Sequence, residues 1–286
     1  MLTNSDSSLR RVYRSMTRAE LDAAYDNTAA VADSAEQLAG FEERSQRLAE
    51  RLPEHLDLRC GPRERQRIDF FGTESSPSSS APLLFFLHGG YWQMRRKETF
   101  RFLASGPLPH GICVALAGYT LAPEQTLAGI VEEVCTALRW LREHAAGLGA
   151  DPDRIVVAGW SAGGHLATML AEEAGVVGVL AISGIFDLEP IRLGILNQKL
   201  RLKRNEVPLL SPSRRRLSEK PLFAVCGSKE LPELQRQTWD FARLRAAASC
   251  PGGALTLEGH DHFSILRELE NPEGNITALL RILLRK

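Results

Sequence analysis

The residues with the clearest chemical promise form the pentapeptide Gly159-Trp160-Ser161-Ala162-Gly163, a GxSxG pattern. It follows the apolar run IVVAG at 155–159 and precedes the helix-forming stretch GHLATMLAEEA. A serine on so tight a strand-to-helix turn leaves no room for side chains at the flanking positions, which explains glycine at 159 and 163. The chemistry such a turn serves is nucleophilic attack on a carbonyl carbon, with Ser161 as the nucleophile. The helix opening beyond it points unpaired N–H groups at the hydroxyl, so the Ala162 N–H is a candidate oxyanion donor.

Attack on a carbonyl needs further donors, a base and an acid. His88-Gly89-Gly90-Tyr91-Trp92 follows the run LLFFL at 83–87, and its paired glycines let the main chain approach a bound carbonyl. Gly89 and Gly90 are therefore candidate oxyanion donors. His88 is expected to anchor the loop, and Tyr91 and Trp92 to wall a substrate pocket, with core packing as their competing role. A base that takes a proton and returns it must titrate near neutrality, as imidazole does. In the chain order nucleophile, acid, histidine, it belongs in Gly259-His260-Asp261-His262-Phe263. His262 is preferred to His260 because Phe263 can pin the loop against the helix expected from Ser264. The acid falls in Ser228-Lys229-Glu230-Leu231-Pro232-Glu233, where Glu230 lies nearer the strand end and Glu233, on the helix side, remains the alternative. Asp187 is read as shaping the pocket. The HDH triplet lacks further ligands, so no metal is expected.

The elements that must position these loops alternate in type. Strand-like runs at 67–72, 83–87, 112–118, 155–159, 176–184, 221–227 and 254–259 alternate with helical stretches at 127–145, after Ser161, at 234–248 and at the C-terminal end. That alternation predicts an α/β fold with a mostly parallel sheet and ligands at the carboxyl ends of its strands. Residues 1–65 read as a helical extension, with a capping box at Thr17 and Glu20 and a polar helix over 35–52 stopped by Pro53. Residues 66–286 read as the catalytic domain. Within it, 74–82 is an exposed turn, and 189–217, lacking any strand signal, forms a small helical cap.

Composition narrows the function classes. Lys+Arg and Asp+Glu both number 35, which gives no electrostatic case for nucleic acid. The basic runs at 199–204 and 214–216 read as solvated faces. Five cysteines, widely spread, suggest no disulfide scaffold or zinc site. The first residues hold no signal-peptide run, and nowhere do eighteen apolar residues follow one another, so a cytoplasmic protein without a membrane partner is expected. The expected partner is a small-molecule substrate. Oligomeric state is open, and a homodimer is compatible with the sequence.

HGGYWQ at 88–93, GWSAGGHLA at 159–167, GSKELPELQRQT at 227–238, DHF at 261–263 and YDNTAAVAD at 25–33 together resemble the kynurenine formamidase (arylformamidase) family and related bacterial esterases of the α/β-hydrolase superfamily. The resemblance implies an α/β-hydrolase fold and cleavage of N-formyl-L-kynurenine to formate and the amine, without cofactor. It carries Ser161 as nucleophile, His262 as base, Gly89, Gly90 and Ala162 as oxyanion donors, and Trp92 as a pocket aromatic. Eukaryotic members have an aspartate where this chain has Glu230, and phenylalanine where it has Leu234. The HGG motif is shared with hormone-sensitive-lipase-like carboxylesterases. A short-chain carboxylesterase is therefore the nearest alternative, and a non-catalytic binding protein the alternative of another class.

Overall fold

The computed structural model describes residues 10–73 and 80–285; most of the turn expected at 74–82 lies outside them. The apolar runs form strands β1 (Leu58–Arg59), β2 (Arg67–Phe71), β3 (Ala81–Leu87), β4 (Cys113–Ala117), β5 (Ala150–Trp160), β6 (Val176–Ile182), β7 (Leu222–Gly227) and β8 (Gly252–Leu257). Among the described residues they build one eight-stranded sheet, ordered β8-β7-β6-β5-β3-β4-β2-β1. Strands β3 to β8 run parallel to one another, while β2 is antiparallel to β4 and β1 to β2.

Period-two alternation sends successive side chains to opposite faces of the sheet. Phe85 joins a core with Leu127, Ile130, Val134, Leu166 and Phe241, whereas Phe86 joins one with Phe41, Phe100, Phe102 and Leu280. The first core carries helices α2 (Leu127–His144), α3 (Ala162–Met169) and α4 (Pro232–Ala247). The second carries α1 (Ser34–Arg51), the 3-10 helix Lys97–Ser105 and α5 (Asn275–Leu284). The result is the three-layer sandwich expected of alternating strands and helices.

Three features depart from the sequence reading. The sheet reaches back to β1, inside the stretch read as a helical extension, and a short hairpin of Arg11–Tyr13 and Met16–Thr17 precedes the Thr17–Glu20 capping box. Lys97–Ser105, not singled out from sequence, covers one sheet face. The single C-terminal helix expected after Phe263 is instead broken into Ser264–Leu266, Arg267–Glu270 and α5, because Pro272 cannot continue a helix through Asn271. Residues 189–217 hold the short helices Glu189–Leu193, Asn197–Leu200 and Val207–Leu210 and the 3-10 turn Pro212–Arg214.

A buried ionic cluster sits at the β2 side of the sheet. Asp69 takes the Lys97 ammonium at 2.8 Å and the Arg101 guanidinium at 2.7 Å, and Lys97 also reaches Asp57 at 2.6 Å and Glu98 at 2.7 Å. Burial disfavours the ammonium, but these carboxylates outweigh it and raise the Lys97 pKa above its usual value.

Candidate active site

Strand register brings the chemistry to one place. Leu87 pairs with Gly159, Gly159 with Ala181 and Ala181 with Ala224, so the loops after β3, β5, β6 and β7 leave the same edge of the sheet. Between β3 and β5 the strand order reverses, and such a switch point opens a crevice at the carboxyl ends. The loops carrying Gly89 and Ser161 flank that crevice.

Ser161 adopts φ 57° and ψ −120°, a region that non-glycine residues rarely occupy, and its N–H is held by the Ile182 carbonyl at 2.8 Å. The turn closes because a Cβ at Gly159 would lie 2.1 Å from the Gly163 carbonyl oxygen, and one at Gly163 only 2.0 Å from that of Leu87. A Cβ at Gly89 would meet the Trp160 carbonyl oxygen at 2.8 Å and the Ser161 Cβ at 3.0 Å. The backbone of the first glycine therefore lies against the serine, with Gly90 next at φ 111°. Ala162 begins α3, directly after the serine.

The acid and the imidazole meet behind this turn. His262 Nδ1 lies 3.0 Å from Glu230 Oε2, and both side chains are buried. In the neutral tautomer that donates Nδ1–H to this carboxylate, Nε2 keeps the lone pair a base needs. The Trp160 indole donates to the His262 carbonyl at 2.7 Å, and the two rings are 4.8 Å apart, so the imidazole packs against the residue preceding Ser161. Glu230 Oε1 accepts from the Gly227 N–H at 2.8 Å and from the Ser183 hydroxyl at 2.5 Å.

The competing residues are engaged elsewhere. Glu233 pairs with Arg236 and receives the Tyr25 hydroxyl at 3.3 Å. His260 faces Glu268 at 3.2 Å. Asp187 pairs with Arg214 and accepts from the Glu189 N–H. His88 is buried with Nδ1 2.8 Å from the Gly89 carbonyl and its ring stacked 4.3 Å from that of Tyr119; burial lowers its pKa to about 3. It is a neutral anchor for the glycine loop. Trp92 is fully buried, its ring 5.1 Å from that of His165. The Tyr91 hydroxyl is committed to the Tyr25 carbonyl and to the Asn27 amide at 2.5 Å. Asp261 holds the histidine loop by accepting from the Phe263 and Ser264 N–H groups, each at 2.8 Å, and from Gln37 at 3.3 Å. Sequence reading singled out neither Ser183, which it placed in the strand-like run 176–184, nor Asp261, which stands in the loop assigned to the histidine.

A family model described as alpha/beta hydrolase fold matches residues 84–260. The chain belongs to the α/β-hydrolase family and is a hydrolytic enzyme of that class. It is similar to the kynurenine formamidase of Salmo salar, 30% identical over 83% of each chain. A carboxylesterase of Mycobacterium tuberculosis is 37% identical over 34% of this chain and 31% of that one. A crystal structure from a Silicibacter species, provisionally described as a thioesterase, superposes with TM-score 0.81 at 27% identity, covering 92% of this chain and 99% of that one. Relatedness to kynurenine formamidases, read first from the motifs, thus extends along most of the chain, and that to the mycobacterial carboxylesterase along 34% of it. No described helix is long and apolar enough to cross a membrane, and no cluster of His, Cys, Asp or Glu among the described residues could hold a metal ion.

Proposed function

We propose that this chain is a serine hydrolase that transfers a short acyl group from an ester to water through Ser161, with His262 as general base and Glu230 as its orienting acid. The observation that supports the reading is the packing of separate loops side by side: Gly89 lies against Ser161, and the His262 ring, with Glu230 3.0 Å from its Nδ1, lies 4.8 Å from the ring of Trp160, the residue before Ser161. His262 Nε2 takes the hydroxyl proton as Ser161 Oγ bonds to the carbonyl carbon. Charge on the former carbonyl oxygen is met by the N–H groups of Gly89, Gly90 and Ala162, each such donor contributing roughly 3 kcal/mol. The imidazolium, stabilised by Glu230, gives its proton to the leaving oxygen as that bond breaks, and water then repeats the sequence to free the acid. Ser161 is only 1% exposed, which favours small acyl groups.

The second reading is an aryl formamide such as N-formyl-L-kynurenine, favoured by the 30% identity with a kynurenine formamidase over 83% of the chain. Formyl is the smallest acyl group, so the same closed site suits it. Parallel kinetics with p-nitrophenyl acetate and N-formyl-L-kynurenine decide between them. Ester turnover with formamide cleavage at background supports the first reading, and a larger kcat/KM for the formamide replaces it by the second. No turnover of either, with no fluorophosphonate labelling of Ser161, would remove both.

A further inference from the structure

Ser183 immediately follows β6, is fully buried and holds φ 53°, a conformation serine rarely adopts. Its N–H is tied to the Val225 carbonyl at 2.6 Å, so its place beside the end of β7 is set by main-chain bonding. From there its hydroxyl donates to Glu230 Oε1 at 2.5 Å, across a loop boundary and 47 positions earlier in the chain.

No lysine or arginine among the described residues forms an ion pair with Glu230. Its negative charge is held by hydrogen-bond donors alone: the Gly227 N–H and the Ser183 hydroxyl on Oε1, and His262 on Oε2. With the Gly227 bond alone, the carboxylate can pivot, because the terminal torsion of glutamate is broad. Glutamate also has more rotamer freedom to lose than the shorter aspartate. A second donor, fixed from the neighbouring strand, sets the carboxylate plane and directs Oε2 at Nδ1. We propose that Ser183 is a positioning residue for the acid–base pair: its hydroxyl holds Glu230 so that His262 keeps the orientation and tautomer needed to deprotonate Ser161.

This inference rests on the catalytic reading above, and the two can fail separately. Ser183→Ala removes the hydroxyl and keeps the backbone strain, whereas Ser183→Gly removes the hydroxyl and relieves it. If the hydroxyl is what matters, both variants of the full chain lower kcat for p-nitrophenyl acetate by about tenfold to a hundredfold, as for loss of a hydrogen bond to a charged group. KM stays within about twofold, since ground-state binding is untouched. Fluorophosphonate labelling of Ser161 slows in parallel. In a Glu230→Gln background the same substitutions cost under about threefold, because the group they orient has lost its charge. Wild-type kcat in Ser183→Gly, or an undiminished loss in the Glu230→Gln background, overturns the proposal. If the alanine variant does not fold, the glycine variant carries the test. A Ser161→Ala enzyme that still turns over the ester sinks the catalytic reading itself; an inactive Ser161→Ala beside an unimpaired Ser183→Gly sinks only the role of Ser183.

Discussion

Among the buried carboxylates, Asp69 and Glu230 are treated in opposite ways. Asp69 is neutralised by permanent cations, with Lys97 at 2.8 Å and Arg101 at 2.7 Å. Glu230 faces a hydroxyl, a peptide N–H and an imidazole at 3.0 Å. The first arrangement is an ion-pair staple between β2 and the helix Lys97–Ser105. The second has a partner that can gain charge, so its electrostatic stabilisation grows when a proton arrives at His262. Burial alone does not mark a working carboxylate. The character of its partner does.

The largest expected difference between them is in activity. Glu230→Gln should lower kcat by roughly a thousandfold to ten-thousandfold, since an amide neither fixes the tautomer nor stabilises the imidazolium. Its urea midpoint should move little. Asp69→Asn should do the reverse, costing about 3–5 kcal/mol of stability by stranding Lys97 and Arg101 while kcat per folded molecule stays unchanged. Steady-state kinetics beside urea unfolding of both variants checks the contrast, and a loss of kcat in folded Asp69→Asn would break it.

A smaller effect comes from imidazoles that burial keeps neutral. Burial lowers the pKa of His88 to about 3 and that of His165 to about 4. The unfolded chain protonates such groups near pH 6.5, so below that value it binds more protons than the folded chain and gains population. Their contribution to stability is complete above about pH 6.5 and is lost progressively as pH falls towards about 4 for His165 and about 3 for His88. Urea titrations at stepped pH should show this decline, and His165→Asn should flatten it. The smallest effect is expected at Tyr91, whose hydroxyl joins the glycine loop to Tyr25 and Asn27. Tyr91→Phe should cost about 1–3 kcal/mol through the unpaired groups it leaves, read as a lower melting temperature.

Much of the architecture was legible because covered strands read as apolar runs and glycines mark the turns between them. Ser161 could be placed from its own neighbours, since strand, tight turn and helix are all local signals. Glu230 and His262 could be assigned to loops by chain order, and Glu233 and His260 fall away only where Arg236 and Glu268 claim them. Ser183 was not legible. What gives it meaning is the pairing of β6 with β7, and a serine after a strand carries no sign of a distant partner. The break before α5 was written in Asn271-Pro272, but the apolar pattern on either side reads as one helix. The β1 contribution was hidden by its length, since Leu58–Arg59 is too short to show alternation.

The bonds of Tyr25 and Gln37 have a consequence for assembly. Tyr25 meets Glu233 across 208 positions and Gln237 across 212, while Gln37 meets Asp261 across 224. Contacts so remote in the chain carry a high closing entropy and slow folding. During synthesis these early residues leave the ribosome long before their partners exist. Their bonds to Glu233, Gln237 and Asp261 form only once those later residues have been made.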